Sequence, residues 1–436
     1  MTLERPYAGA ETLYAAASRT AADASRVVFF VRATMDHACA WEEFSDRVPA
    51  ALHRVQARHR LLRVALGERG FIRSTEPLPY DIVTADDPHA AAIAQLEAEW
   101  RLPEEASPFR VRFVLPTAAR TGNFHGPMPV TLLVRGHHAA CDGFSLVGLA
   151  SEILRSLCDP SSLPPPSSTA APPDILTVSR RELGSAWRRP AQASRAVLAY
   201  LRRARAVAGP VVQLAPPERA TPPLRCLELL LAPPDVERLR ARCREHGVGL
   251  SAFLTAAAAL ACESTGRIDI GVAVDLRRLA KATTLPAAVL GFYGAMTDVA
   301  LAVTPDAEVW RLAAQAADVL KADVQDAPER PFTTALVVSL LLPLVKRTVT
   351  AGRSVFSQTL LVSNIGGCGP LFDGISGAKV SSAGFASSPR ASRKLHVSCT
   401  SVRGALSLCV AWPDGTLTTS RVERFASALE RTLTAG

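Results

Sequence analysis

The sequence predicts an α/β protein, built from mixed α+β sheets and divided into two parts. Three observations carry this. The 436 residues are 48% hydrophobic and 20% charged, enough apolar material for two cores and too much for a disordered chain. Two proline-rich stretches, 160–173 (PSSLPPPSSTAAPP) and 209–223 (GPVVQLAPPERATPP), read as extended linkers. Strand-like and helix-like segments mix on either side of them, without the regular βαβ alternation of a dinucleotide-binding sheet. The implied divisions are 1–165, a Pro/Arg-rich region at 166–223, and 224–436.

In the first part, residues 27–31 (VVFFV) read as a short buried strand. Residues 41–64 carry Phe44, Val48, Leu52 and Val55, then Leu62, at helical spacing. Residues 109–115 (FRVRFVL) alternate like a half-buried strand. Residues 130–134 (VTLLV) form a strand that runs directly into Arg135-Gly136-His137-His138, and 144–157 read as a helix.

In the second part, 226–231 read as a strand and 235–246 as a helix ending before Gly247. Ser251 is placed to cap an alanine-rich helix over 252–262, followed by Gly266 and a strand over 268–274. Residues 335–345 (ALVVSLLLPLV) are too few to span a bilayer and read as a buried helix or interfacial segment. A strand over 358–362 enters Ser363-Asn364-Ile365-Gly366-Gly367. Residues 395–402 and 405–412 form a hairpin about Arg403-Gly404, and 419–433 form a final helix.

The nine cysteines are odd in number, form no CxxC pair and mostly sit in apolar stretches. They read as small buried thiols of a reducing cytosol, and no metal site is expected. The first 24 residues have early acids and no apolar signal core, so a soluble cytoplasmic protein is expected, without a membrane span.

The strongest local signal is His137-His138-Ala139-Ala140-Cys141-Asp142-Gly143, an HHxxxDG pattern. At this composition chance supplies it in roughly one chain per thousand. A neutral imidazole takes a proton from an attacking hydroxyl or amine near pH 7. Asp142 is close enough to orient an imidazole or to fold back onto an arginine. Gly143 lets the backbone approach a ligand where a helix begins, a favourable place for developing negative charge. The plainer reading is a pair of structural histidines at a strand end. Ser145 and Ser363 are candidate oxyanion donors and Asn364 a candidate loop holder, though each reads first as a cap or turn residue. Cys141 reads as a small spacer, and His246 and His396 are isolated, with no role assigned.

The 137–143 segment resembles the signature of the chloramphenicol-acetyltransferase-like superfamily. That group includes polyketide-associated acyltransferases, alcohol O-acetyltransferases and nonribosomal peptide condensation domains. Other pieces agree in order: RHRLLR at 58–63, PFRVRFVL at 108–115, the helix over 251–262, Asp275-Leu276-Arg277, and the SNIG of 363–366. The resemblance implies two similar halves in a V with a central tunnel. It makes His138 the general base, His137 structural, and Asp142 the partner of an arginine, for which Arg277 is the candidate. Two features depart from family patterns: there is no DFGWG, and 291–294 (GFYG) lacks an expected asparagine.

The function implied is an acyltransferase of specialised metabolism, moving an acyl group from a CoA or acyl-carrier-protein thioester to a hydroxyl. No permanently bound cofactor is needed; acyl-CoA or phosphopantetheine-linked acyl is the co-substrate. An amide-forming condensation-type enzyme with a tethered amine is the alternative, and a non-catalytic carrier-binding module a third reading. The acceptor is a small or carrier-tethered molecule, and a monomer is expected. The net charge of +9 is concentrated in residues 180–209, where eight arginines meet one acid for a local +7. This segment reads either as a solvated helix face or as a docking surface for carrier protein or CoA phosphates. Arg180, Arg181, Arg188, Arg189, Arg202 and Arg203 are its candidate contacts. No nucleic-acid reader motif accompanies them.

Overall fold

The computed structural model describes residues 2–20, 25–36, 41–97, 106–121, 126–163, 172–184, 198, 224–283, 285, 289–341, 358–387 and 395–435. The chain begins with β1 (Leu3–Pro6), α1 (Ala10–Thr20), β2 (Arg26–Met35) and α2 (Trp41–Arg58). After a 3-10 turn come β3 (Val64–Leu66), β4 (Gly70–Arg73), β5 (Tyr80–Ala85) and α3 (Pro88–Glu97). Next are β6 (Phe109–Pro116), α4 (Thr117–Arg120), β7 (Met128–His137), α5 (Gly143–Cys158) and α6 (Ile175–Leu183). The second part holds β8 (Leu224–Leu231), α7 (Pro233–Glu245), α8 (Leu250–Ala261), β9 (Gly266–Asp275) and β10 (Gly294–Val303). It continues with α9 (Val309–Leu320), α10 (Glu329–Leu340), β11 (Leu360–Gly367) and α11 (Gly369–Phe372). It ends with β12 (Ala378–Ser387), β13 (His396–Val402), β14 (Ala405–Pro413) and α12 (Thr419–Thr434). No helix among the described residues is long and apolar enough to cross a membrane.

The described strands form three mixed or antiparallel sheets. One has the order β12-β2-β7-β6-β5, another β10-β9-β11-β13-β14-β8, and a small one β1-β4-β3. β12 comes from late in the chain, yet it pairs antiparallel with β2, from Ala378 opposite Met35 to Ser387 opposite Val27. The chain therefore returns to complete the edge of the first large sheet.

Burial explains the run at 27–31. Val27, Phe29 and Val31 enter the core beneath α2 and α5. Val28 and Phe30 point the other way, into a cluster with Cys226, Ala386, Cys409 and Ala411 that joins the two large sheets. A strand covered on both faces has no polar face, so its sequence is continuous rather than alternating. The second core packs α8, α9 and α12 against β9, β11, β13 and β14. Ala256 to Ala259 of α8 are all buried, which lets that helix lie close to its neighbours.

Several boundaries differ from the sequence reading. Helix α2 stops at Arg58, because His59 is extended and Gln56 turns its side chain onto the Leu62 carbonyl (3.1 Å) and the Leu78 amide (3.3 Å). Residues 60–63 are a 3-10 turn and Val64 begins a strand. Helix α8 is capped by Gly249, not Ser251, which lies inside the first turn. The strand at 358–362 is displaced and extended, to Gly367, with a bulge after Asn364. Pro160–Ser162 make a short 3-10 turn capped by Asp159, while 164–171 lie outside the described residues. At the 403–404 turn both residues have positive φ (47° and 85°), the geometry that favours a tight two-residue hairpin.

Candidate active site

The site is built where β7 runs into α5. His137 is the last residue of β7, paired with Arg26, and the His138 amide donates to the Ser25 carbonyl at 2.7 Å. The chain then turns tightly, with the amides of Ala140 and Cys141 both on the His137 carbonyl. Cys141 tucks beneath the turn against Gly136, where a Cβ would stand 2.2 Å from its Sγ. Burial pushes the Cys141 thiol well up, so it is inert.

His138 has a defined tautomer. Its Nδ1 lies 3.0 Å from the Cys141 carbonyl oxygen, which only accepts, so the proton sits on Nδ1. Nε2 then carries the lone pair and accepts from the Ser387 hydroxyl at 3.0 Å. Tyr14 lies against the ring at 4.7 Å and Phe292 meets it edge-on at 5.8 Å. His137 differs: it is buried, its Nδ1 accepts from the Ala139 amide at 3.1 Å, and burial beside His138 pushes its pKa down to about 3. It stays neutral at physiological pH.

Asp142 caps α5 through the Ser145 amide at 2.9 Å. Its carboxylate faces Arg277, which donates to both oxygens at 2.9 and 3.1 Å, and it also accepts from the Tyr293 amide at 2.8 Å. Burial opposes this charge, but the Arg277 charge and hydrogen bonds outweigh it and hold the carboxyl below its ordinary value. Arg277 also reaches the Ser145 hydroxyl (2.7 Å) and Asp275 (3.0 Å). Of the two fates open to Asp142, this structure has the arginine, not an imidazole. Tyr293, whose amide makes the contact with Asp142, belongs to the 291–294 segment that departs from the family pattern. Ser145 is fully buried, its hydroxyl donating to the Gly291 carbonyl at 2.6 Å, so it is part of this brace rather than an oxyanion donor.

His138, Asp142, Gly143, Arg277, Ser363 and Asn364 all line one cavity of about 700 Å³, with walls from both large sheets. At Gly143 a Cβ would meet the Phe385 ring at 3.3 Å, so β12 packs directly over the start of α5. Asn364 holds the β11 bulge, donating to the Ser251 hydroxyl (3.0 Å) and accepting from the Gly366 amide (2.9 Å). Arg180 and Arg181 are exposed on the last turn of α6, away from these contacts. Arg188, Arg189, Arg202 and Arg203 lie outside the described residues. Another cavity, of about 620 Å³, lies beside α2 and holds none of residues 137–143, though Arg60 and Arg63 line it.

Sequence reasoning missed Ser387, Tyr14 and Phe292, and assigned nothing to His396, which is buried in the same cavity wall. Ser387 is 249 residues from His138 in a strand of mostly small residues, and no local spacing marks it.

No sequence-family profile matches the chain, and no curated protein does. Solved structures match along its whole length. The TRI3 trichothecene 15-O-acetyltransferase of Fusarium sporotrichioides superposes with a TM-score of 0.75 at 13% identity, over 99% of this chain and 94% of that one. The condensation domain of the Monacolin K polyketide synthase MokA gives 0.68 at 15% identity, over 100% and 98%. The chain has the chloramphenicol-acetyltransferase-like fold. Within that fold a starter condensation domain of the rhizomide synthetase RzmA, in complex with C8-CoA, gives 0.67 at 16% identity, over 100% and 94%.

Proposed function

We propose that the protein is an acyltransferase, moving an acyl group from a CoA or carrier-protein thioester to a hydroxyl acceptor. The observation that carries this is His138, with its proton held on Nδ1 by the Cys141 carbonyl and its basic Nε2 turned into a cavity walled by both sheets. At neutral pH that nitrogen takes the proton of the acceptor hydroxyl, whose oxygen attacks the thioester carbonyl. The tetrahedral oxyanion forms beside the N-terminus of α5, where the helix dipole favours negative charge and Gly143 adds no side chain. The thiol then leaves with the proton from His138.

Asp142 and Arg277 are positioning residues in this scheme, joining the start of α5 to the turn after β9. The apolar part of the wall, including Leu13, Val27, Val338 and Phe292, suits an acyl chain. Arg278 and Lys321 also line the cavity and suit a phosphate of the thioester handle. Arg180 and Arg181 are the described part of the proposed carrier-docking surface. Two neighbours support the reading: one is named an O-acetyltransferase, and another holds C8-CoA.

The test is His138→Ala, assayed with an acyl-CoA and an acyl carrier protein offered separately against a panel of alcohols and amines. Transfer should fall by about 10²–10⁴-fold while the melting temperature holds. An active His138→Ala enzyme removes the proposal. Amine acceptors outpacing alcohols would replace ester formation with amide formation.

A further inference from the structure

The segment RHRLLR at 58–63 divides its basic side chains between two places. Arg58 and His59 turn to Glu152 of α5, at 2.8 and 2.9 Å. Arg60 and Arg63 turn into the cavity of about 620 Å³ beside α2. Residues 60–63 form a 3-10 turn, whose three-residue period sets positions i and i+3 on one face, so both guanidiniums meet the same cleft. Arg73 joins them from β4, where it is paired with Val64. One acid lines the cleft, Glu4 of β1. Its side chain is only 4% exposed, and it bridges Arg60 and Arg73, the latter at 3.2 Å. Arg63 reaches no carboxylate among the described residues. Glu4 therefore fixes two guanidiniums without using all their donors: Arg73 spends Nε and Nη2 on it, and Arg60 its Nε. Three guanidiniums against one carboxylate leave the cleft with a net charge of +2.

The rest of the cleft is a shaped apolar floor. Pro49, Leu52, His53, Gln56 and Ala57 fall on one face of α2, at helical spacing. Gln56 fastens the loop that closes the cleft, donating to the Glu76 carbonyl at 2.7 Å and accepting from the Leu78 amide at 3.3 Å. Leu52 and Leu78, both 3% exposed, form the floor, with Pro77 and Tyr80 beside them. A concave apolar surface with a few fixed charges is the make-up of a small-molecule site. The cleft shares no lining residue with the His138 cavity.

We propose that this cleft binds a phosphate monoester with an apolar body. At pH 7.5 such a group carries close to two negative charges, which the net +2 matches, and its oxygens suit the forked guanidinium donors. A carboxylate brings one charge and leaves a guanidinium uncompensated. The same chemistry is offered by a free metabolite and by the headgroup of phosphatidic acid. Binding here does not depend on acyl transfer, so it stands or falls separately from that reading.

The experiment titrates the full chain at pH 7.5 with monohexyl phosphate, hexanoate and inorganic phosphate, followed by calorimetry. Monohexyl phosphate should bind saturably at one site, at least about tenfold more tightly than either of the others. Arg63→Gln, at an exposed position, should weaken it by about tenfold or more. Ala57→Trp, exposed on α2, should block it by filling the cleft. Both variants should keep the wild-type melting temperature, and either alone reads out the site if the other fails to fold. Co-sedimentation with phosphatidylcholine vesicles only when they carry phosphatidic acid, lost in Arg63→Gln, assigns the ester to a lipid surface. Monohexyl phosphate binding without co-sedimentation assigns it to a free metabolite. A wild type that neither saturates with monohexyl phosphate at millimolar concentration nor sediments with phosphatidic acid overturns the proposal. So does equal binding of all three anions, or binding unchanged in both variants.

Discussion

His137 and His138 are neighbours in sequence with the same side chain, yet they do different work because their surroundings differ. His138 has a carbonyl at one nitrogen and a hydroxyl at the other, in a cavity wall. His137 is buried, and its pKa is pushed down to about 3 by that burial, with His138 adding a smaller effect. The sign of its contribution follows. In the unfolded chain it protonates near 6.5, so between pH 6.5 and 3 the unfolded state binds a proton that the folded state refuses. Its share of stability is full above pH 6.5 and drains away on acidification, by up to about 1.4 kcal/mol per pH unit. Asp142 acts in a lower window: its carboxyl is held below the ordinary value, so its contribution is lost only as pH falls further. Urea unfolding at pH 7 and pH 5 checks the histidine. The wild type should lose about 2 kcal/mol more over that interval than His137→Asn, whose side-chain oxygen still accepts from Ala139. Equal losses would show that His137 is not the group responsible. The motif itself was legible in seven consecutive residues, but the partner of each member was not. Arg277 and Ser387 reach it from 135 and 249 positions away, and nothing local encodes that meeting.

At the scale of elements, the turn between β7 and α5 works as one packed unit. Gly136 leaves room for Cys141, and Leu146 of α5 closes on the same point, 3.1 Å from where a Cβ would be. Gly136→Ala should therefore destabilise by about 1–3 kcal/mol, as overpacking does in a tight core. Removing the sulfur should relieve most of this. Gly136→Ala/Cys141→Ala is expected to be more stable than the sum of the single changes predicts, measured by denaturant midpoints. Simple additivity would mean that the sulfur is not the obstacle. The same reasoning explains which elements were readable. β2 and the β13–β14 hairpin announce themselves, one by a run covered on both faces and the other by the turn at Arg403-Gly404 between two strand-like segments. β12 (AKVSSAGFAS) has small residues of weak strand preference, and its pairing is imposed by β2, more than 340 residues earlier. Ser251 has the chemistry of a cap, but its hydroxyl serves Asn364 instead, and the cap falls to Gly249.

Across the whole molecule, three separate devices tie the first part of the chain to the second. β12 pairs with β2; Val28 and Phe30 bury themselves among Cys226, Ala386 and Ala411; and polar side chains cross the seam. Arg32 of β2 bonds to Glu228 of β8, which also accepts from Ser407 at 2.7 Å, while Asp142 meets Arg277. Removing one member of such a buried pair typically costs about 3–5 kcal/mol, because the other is left charged and uncompensated. The proline-rich stretches suggested a division near residue 223, and composition alone gives no reason to expect a strand to cross it. A chain cut there should behave accordingly. Residues 1–223 alone would leave the β2 edge unpaired and expose Phe30 and Leu133, now fully buried, to water. That fragment should show no sharp thermal transition and should aggregate on heating. Co-expression with 224–436 should restore both a cooperative melt and the proposed acyl transfer, since the cavity takes His138 from one piece and Ser387 from the other. A cooperative melt of 1–223 alone would show that the first sheet does not need the returning strand, and the site would then depend on docking between independently stable parts rather than on a shared fold.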